Sequence, residues 1–143
     1  MKVLIDANVI LDVLLNRSPW VTDSQAVWDA NHRQQFRGYV VATTITNLFY
    51  IARKLIGQPL ALSGVRDCLA AFDVVPVDQT ILEDAATLPG SDFEDNVTIR
   101  CAETSGMEVI VTRNLADFAD FADSPVPAIS PAELLKRIHI ASP

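Results

Sequence analysis

Apolar positions along the chain alternate between short continuous runs and stripes at helical spacing. Val3-Leu4-Ile5 is a run closed by Asp6, after which Val9, Ile10, Val13 and Leu14 recur as on one side of a helix. The pattern predicts a buried strand feeding a helix. Pro19 breaks it, and Thr22, Asp23 or Ser24 is placed to cap a second helix carrying Ala26, Val27, Trp28 and Ala30. Gly38 introduces a second strand, Tyr39-Val40-Val41-Ala42. Thr43 or Thr44 is placed to cap the helix of Ile45, Leu48, Phe49, Ile51, Ala52 and Leu55, which Gly57 and Pro59 close. A further helix covers 60–72. Val74-Val75-Pro76-Val77 is a third strand, and its proline argues for a sheet edge.

A helix over 79–88 stops at Pro89-Gly90, and Ser91-Asp92-Phe93-Glu94 has the Ser-x-x-Glu form of a capping box that starts another. Glu108-Val109-Ile110-Val111 and Pro127-Ala128-Ile129 read as strands four and five. The last helix begins at Ser130-Pro131. Strands alternating with helices over 143 residues imply one domain, 1–143, of the α/β class: a mostly parallel sheet of about four or five strands covered on both faces. Ligands of such sheets sit beyond the carboxyl ends of the strands.

Acidic residues stand at those places. Asp6 follows the first strand, where it serves either as a helix cap or as a cation ligand with Asn8 as a second oxygen. Asp92 and Asp95 are three apart, which on a helix leaves their Cβ atoms about 5–6 Å from one another on one face. Asp92 is also placed as the helix cap, with Glu94 turned away as its capping-box partner, whereas Asp95 is not needed for the cap. Asp117 follows the fourth strand, and Thr112 and Asn114, closer to the strand end, are placed to orient ligands by hydrogen bonds. Carboxylates on separate elements suit Mg²⁺ or Mn²⁺, and the reaction that follows is hydrolysis of a phosphodiester by activated water, without a protein nucleophile.

Net charge is −7, which argues against charge-driven adhesion to nucleic acid or anionic membrane but not against a nuclease whose acidic pocket is filled by cations. No apolar run approaches the roughly 18 residues of a membrane span, and an acidic residue as early as Asp6 does not suit a signal peptide. A cytoplasmic protein without membrane association is expected. Cys68 and Cys101 are isolated and expected buried and reduced; His32 and His139 are expected at the surface. No nucleophile elbow, phosphate loop, dinucleotide fingerprint or His-Glu-x-x-His motif occurs.

Three blocks together resemble the PIN-domain family, the ribonuclease fold of VapC-type toxins. They are Val3-Leu4-Ile5-Asp6-Ala7-Asn8-Val9-Ile10-Leu11-Asp12, Asp92-Phe93-Glu94-Asp95 and Val111-Thr112-Arg113-Asn114-Leu115-Ala116-Asp117-Phe118, with Pro127-Ala128-Ile129-Ser130-Pro131 similar to the closing strand and helix start. The resemblance covers essentially the whole chain. It implies a three-layer α/β/α sandwich, a Mg²⁺ or Mn²⁺ site, endoribonuclease activity on RNA, a homodimer, and a cognate antitoxin as partner. By position it assigns Asp6 and Asp95 as metal ligands, with Asp117, or Asn114 beside it, as the late acidic position and Asp92 as an accessory carboxylate. Two departures stand out: Asn47 occupies the place of a customary glutamate, and Asn114 that of an aspartate in a Thr-x-Asp motif. Weaker metal binding or a single ion follows from them, and they feed the alternative of a catalytically weak or inactive module that binds RNA or protein.

Arg17, Arg53, Lys54, Arg100 and Arg113 lie near these motifs; Arg53, Lys54 and Arg113 in particular are expected to touch RNA phosphate. Leu14, Leu15, Trp20, Phe49 and Tyr50 suit either the core or a groove for a partner. A receiver-type phosphoacceptor is disfavoured because Lys2, Lys54 and Lys136 do not follow a late strand. A haloacid-dehalogenase-like phosphatase would need Asp-x-Asp where the chain has Asp6-Ala7-Asn8.

Overall fold

The computed structural model describes residues 1–141, so the last two positions of the expected 1–143 domain lie outside the described residues. Five parallel strands form one sheet in the order β3-β2-β1-β4-β5: β1 Lys2–Ile5, β2 Arg37–Val41, β3 Asp73–Val75, β4 Val109–Val111 and β5 Ala128–Ile129. The chain runs outward from β1 through β2 to β3, then returns to the other side of β1 for β4 and β5. That reversal opens a crevice between β1 and β4 at their carboxyl ends.

Alternation along the strands explains the layers. Val3, Ile5, Val40, Val109 and Val111 face a core shared with α1 Ala7–Leu14, α2 Val21–His32, α3 Ala42–Ile56, α4 Gln58–Ala71 and α7 Pro131–Ala141. Leu4, Val41 and Ile110 face the opposite core, built with α5 Gln79–Ala85, α6 Phe93–Thr104 and a 3₁₀ segment, Leu115–Phe121. The result is the expected three-layer sandwich, with β3 at an edge as Pro76 suggested. Cys68 and Cys101 are buried free thiols in opposite layers, and both histidines are exposed.

Helix starts depart from expectation in two places, and a third resolves an alternative. α2 begins at Val21, before Thr22, and Ser24 turns inward to donate to Asp12 at 3.2 Å. α3 begins at Ala42, directly off β2, with Val41 as a cap that has no side-chain bond; Thr43 and Thr44 lie inside it. The cap of α6 is Asp92 and not Ser91. α2 and α3 thus start without a capping side chain, whereas α6 keeps one, supplied by Asp92.

Candidate metal centre

Beyond the paired ends of β1 and β4, where Ile5 lies opposite Val111, the Asp6 N–H donates to the Val111 carbonyl at 2.9 Å and carries the ladder one residue further. Extended backbone at Asp6 makes it the N-cap of α1, its Oδ1 accepting from the Ala7 N–H at 2.8 Å. The other oxygen, Oδ2, accepts from Thr112 Oγ1 at 2.8 Å and from Asn8 Nδ2 at 3.2 Å. Cap and site roles therefore coexist, one oxygen serving each.

Asn8 does not present a free second oxygen. Its Oδ1 accepts from the Arg113 N–H at 3.1 Å while its Nδ2 also reaches Thr112 Oγ1 at 3.2 Å. Thr112 is buried, and its Oγ1 accepts in turn from the Asn114 N–H at 3.1 Å. Asn8 and Thr112 thus brace the Asp6 carboxylate against the turn after β4.

The opposite wall is the start of α6. Asp92 caps it, Oδ1 accepting from the N–H groups of Glu94 at 2.8 Å and Asp95 at 3.2 Å. Glu94, expected to turn back into the cap, instead accepts at Oε2 from Asn47 Nδ2 at 2.7 Å and ties α6 to α3. The amide at position 47 is therefore paired with a carboxylate from another helix. Half-buried Asp95 receives no hydrogen bond at its carboxylate among the described residues. Asp117 lies exposed in the first turn of the 3₁₀ segment, its N–H on the Asn114 carbonyl at 3.1 Å.

Electrostatics joins these groups. Burial pushes the Asp95 carboxyl up to about 7, helped by the charges of Asp92, Asp6, Asp117 and Glu94 in that order. The Asp6 carboxyl is raised chiefly by burial, which outweighs the lowering by Thr112 and Ala7, with Asp117 and Asp92 adding to the rise. Glu94 is raised by burial against the bond from Asn47, and further by Asp6 and Asp92. Five carboxylates from three segments share one field.

Such a donor set fits a hard divalent cation. Among the described residues no three Asp, Glu, His or Cys side chains gather closely enough to enclose an ion. Mg²⁺ does not require that, since it commonly keeps several waters and takes one or two protein carboxylates.

Beside this pocket lies an arrangement the motif reading missed. Asp12 is fully buried yet charged, gripped by Arg17 Nε at 3.0 Å and by Arg113 Nε at 3.0 Å and Nη2 at 3.2 Å. Two donors of Arg113 are thereby engaged, and its guanidinium also stacks on Trp20, 4.0 Å from the ring centroid. An aspartate inside the apolar stripe of α1, five residues before an arginine, was the available signal. Arg53 and Lys54 are exposed on α3, Arg53 lying 5.6 Å from the Tyr50 ring centroid. Arg100 is spent on Asp84 at 3.3 Å and Glu103 at 3.9 Å. Leu14 and Leu15 pack on the core, Phe49 is half-buried, and Trp20 and Tyr50 are exposed.

The family model described as PIN domain matches residues 2–116. No curated protein matches the chain. Among solved structures, the DNA-bound VapBC complex from Salmonella typhimurium superposes with a TM-score of 0.68 at 18% identity, over 92% of this chain and 98% of that one. VapC20 from Mycobacterium tuberculosis, a sarcin-ricin loop cleaving toxin, gives 0.67 at 10% identity over 85% and 94%. A toxin-antitoxin complex from Klebsiella pneumoniae gives 0.65 at 20% identity over 90% and 97%. At such identities these likenesses speak for the fold.

Proposed function

The chain belongs to the PIN-domain family, and from that premise we propose that it is a Mg²⁺- or Mn²⁺-dependent endoribonuclease, the toxin of a toxin–antitoxin pair. One observation carries the reading: at the switch point of the sheet a carboxyl without a hydrogen-bond donor, Asp95, is held near pH 7 by burial and by surrounding acids. Structural carboxylates are ordinarily paired within the protein; this one has no protein donor and is open to a cation.

Asp6 and Asp95 would hold the ion, with Asp117 in the first turn of the 3₁₀ segment as a third acidic group. When bound, the ion polarises the phosphodiester and eases ionisation of the attacking water. Asp6 is kept in orientation by Thr112 and Asn8, and Asn114 holds the turn through its N–H on Thr112. Asp92 fixes the first turn of α6, which carries Asp95. Exposed Arg53 and Lys54 provide phosphate contacts on α3.

Residues 1–143 act as one domain in the cytoplasm, as a homodimer with an antitoxin partner. The VapBC complexes among the structural relatives support that partner, and no helix among the described residues is long and apolar enough to cross a membrane. A second reading, a module that binds RNA or protein without cutting, draws on the neutral Asn47 and Asn114. Against it, Glu94 restores a carboxylate beside Asn47. Incubation of a mixed RNA pool with Mn²⁺, Mg²⁺ or EDTA separates the two. Metal-dependent cleavage that EDTA stops and Mn²⁺ restores is expected; bound but intact RNA in all three would establish the silent module.

A further inference from the structure

We propose that Arg17, Trp20 and Arg113, held from beneath by the buried carboxylate of Asp12, form a ledge that binds one unpaired nucleotide of the RNA, phosphate on guanidinium and base on indole. The proposal rests on the ribonuclease reading and names the element that holds the strand next to the acidic pocket.

Charge is the first argument. A fully buried carboxylate needs one counter-ion, and Asp12 has two, besides Ser24 Oγ at 3.2 Å. The cluster therefore carries a surplus positive charge. It is not sealed: the Arg17 and Arg113 side chains keep 32% and 21% of their exposure. In a chain of net charge −7, and beside a pocket of carboxylates, a fixed cation is what lets a polyanion approach the site before metal contacts form. Because Asp12 holds both guanidinium groups in place, little side-chain freedom remains to be lost on binding phosphate.

The aromatic is the second argument. Trp20 is 44% exposed although it is one of only two tryptophans, and the other, Trp28, packs edge-on against Phe72 at 4.9 Å within the molecule. Arg113 lies against the Trp20 ring, giving the indole a fixed orientation next to a cation. Aromatic platforms beside arginines bind bases of single strands, since every unpaired base offers a face to stack.

Placement is the third. The Arg113 N–H bonds Asn8 Oδ1, Arg17 Nη2 lies 3.4 Å from the Asn8 carbonyl, and Asn8 Nδ2 holds Asp6 Oδ2. The ledge is thus tied by single residues to the proposed metal ligand. Asp12 follows Asp6 by six residues of helix, about 9 Å along its axis, within reach of the next nucleotides of a bound strand.

A Trp28→Phe protein has Trp20 as its only tryptophan, and Asp95→Asn added to it stops turnover. Titrated in Mg²⁺ with short mixed-sequence single-stranded RNA, its emission is expected to be quenched saturably, and the same RNA annealed into duplex is expected to leave it unchanged. Binding followed by anisotropy of labelled RNA is expected to weaken roughly tenfold on Trp20→Ala or Arg17→Gln and to be largely retained on Trp20→Phe. Unchanged emission at RNA saturation, or Trp20→Ala binding like its parent, overturns the ledge. Cleavage is scored separately with Asp95 intact. Metal-dependent cleavage with an unquenched Trp20 sinks the ledge and leaves the nuclease; quenching without any metal-dependent cleavage keeps the ledge and sinks the nuclease.

Discussion

Asp95 concentrates the account at the scale of single residues. Its carboxyl sits at about 7 in the folded chain against an ordinary 3.8, so the folded state holds the proton more tightly than the unfolded one. The sign is the reverse of the usual aspartate: metal-free stability declines as pH rises from about 4 through 7, and the penalty is complete above that range. In EDTA the melting temperature is therefore expected to be higher at pH 6 than at pH 8, with Mn²⁺ recovering the difference. The same proton competes with the ion. Below pH 7, Mn²⁺ affinity measured by calorimetry is expected to fall about tenfold per unit, and affinity independent of pH between 6 and 8 would count against Asp95 as a ligand. Asp12 gives a second test. Asp12→Ala leaves Arg17 and Arg113 facing one another, and urea unfolding is expected to show a loss of about 3 kcal/mol, the low end for a broken buried pair because both guanidinium groups keep some solvent.

Among the elements, α6 decides whether a site exists, since its first turn carries Asp92, Glu94 and Asp95. The turn that delivers it passes through Gly90, where a Cβ would collide with Asn96 Oδ1 and stand 2.6 Å from Phe121 Cζ. Gly90→Ala is expected to cost about 1–3 kcal/mol by overpacking and to lower Mn²⁺ affinity as well, because the start of α6 moves. Thermal melting and metal titration of this variant check both effects; a lower melting temperature with unchanged affinity would detach the turn from the site. The strands and helices themselves were legible in the sequence because strands buried on both faces leave continuous apolar runs that contrast with helical stripes. Their beginnings were less so. β2 passes into α3 without a capping side chain, and the 3₁₀ segment after Asn114 left no periodic signal. Asp6, Asp92 and Asp95 could be placed because each abuts an element end. The Asn47–Glu94 bond and the grip of Arg113 on Asp12 could not, because they join helices and turns far apart in sequence that periodicity does not relate.

Taken whole, the molecule is an acidic sandwich whose sheet reverses direction where its carboxylates collect. Neutral residues at positions 47 and 114 thin the acidic set that the family resemblance implies, while Glu94 adds a carboxylate from α6. Whether the remainder cuts RNA turns on Asp95, which lacks a structural bond to explain it and whose loss should spare the fold. The direct measurement is the rate of RNA-pool cleavage at saturating Mn²⁺ by wild type and by Asp95→Asn, with matched circular dichroism. The expected result is a loss of at least roughly a hundredfold in Asp95→Asn and none of the cleavage in EDTA. An Asp95→Asn protein that cuts as fast as wild type, or cleavage that persists in EDTA, would contradict the metal-dependent ribonuclease.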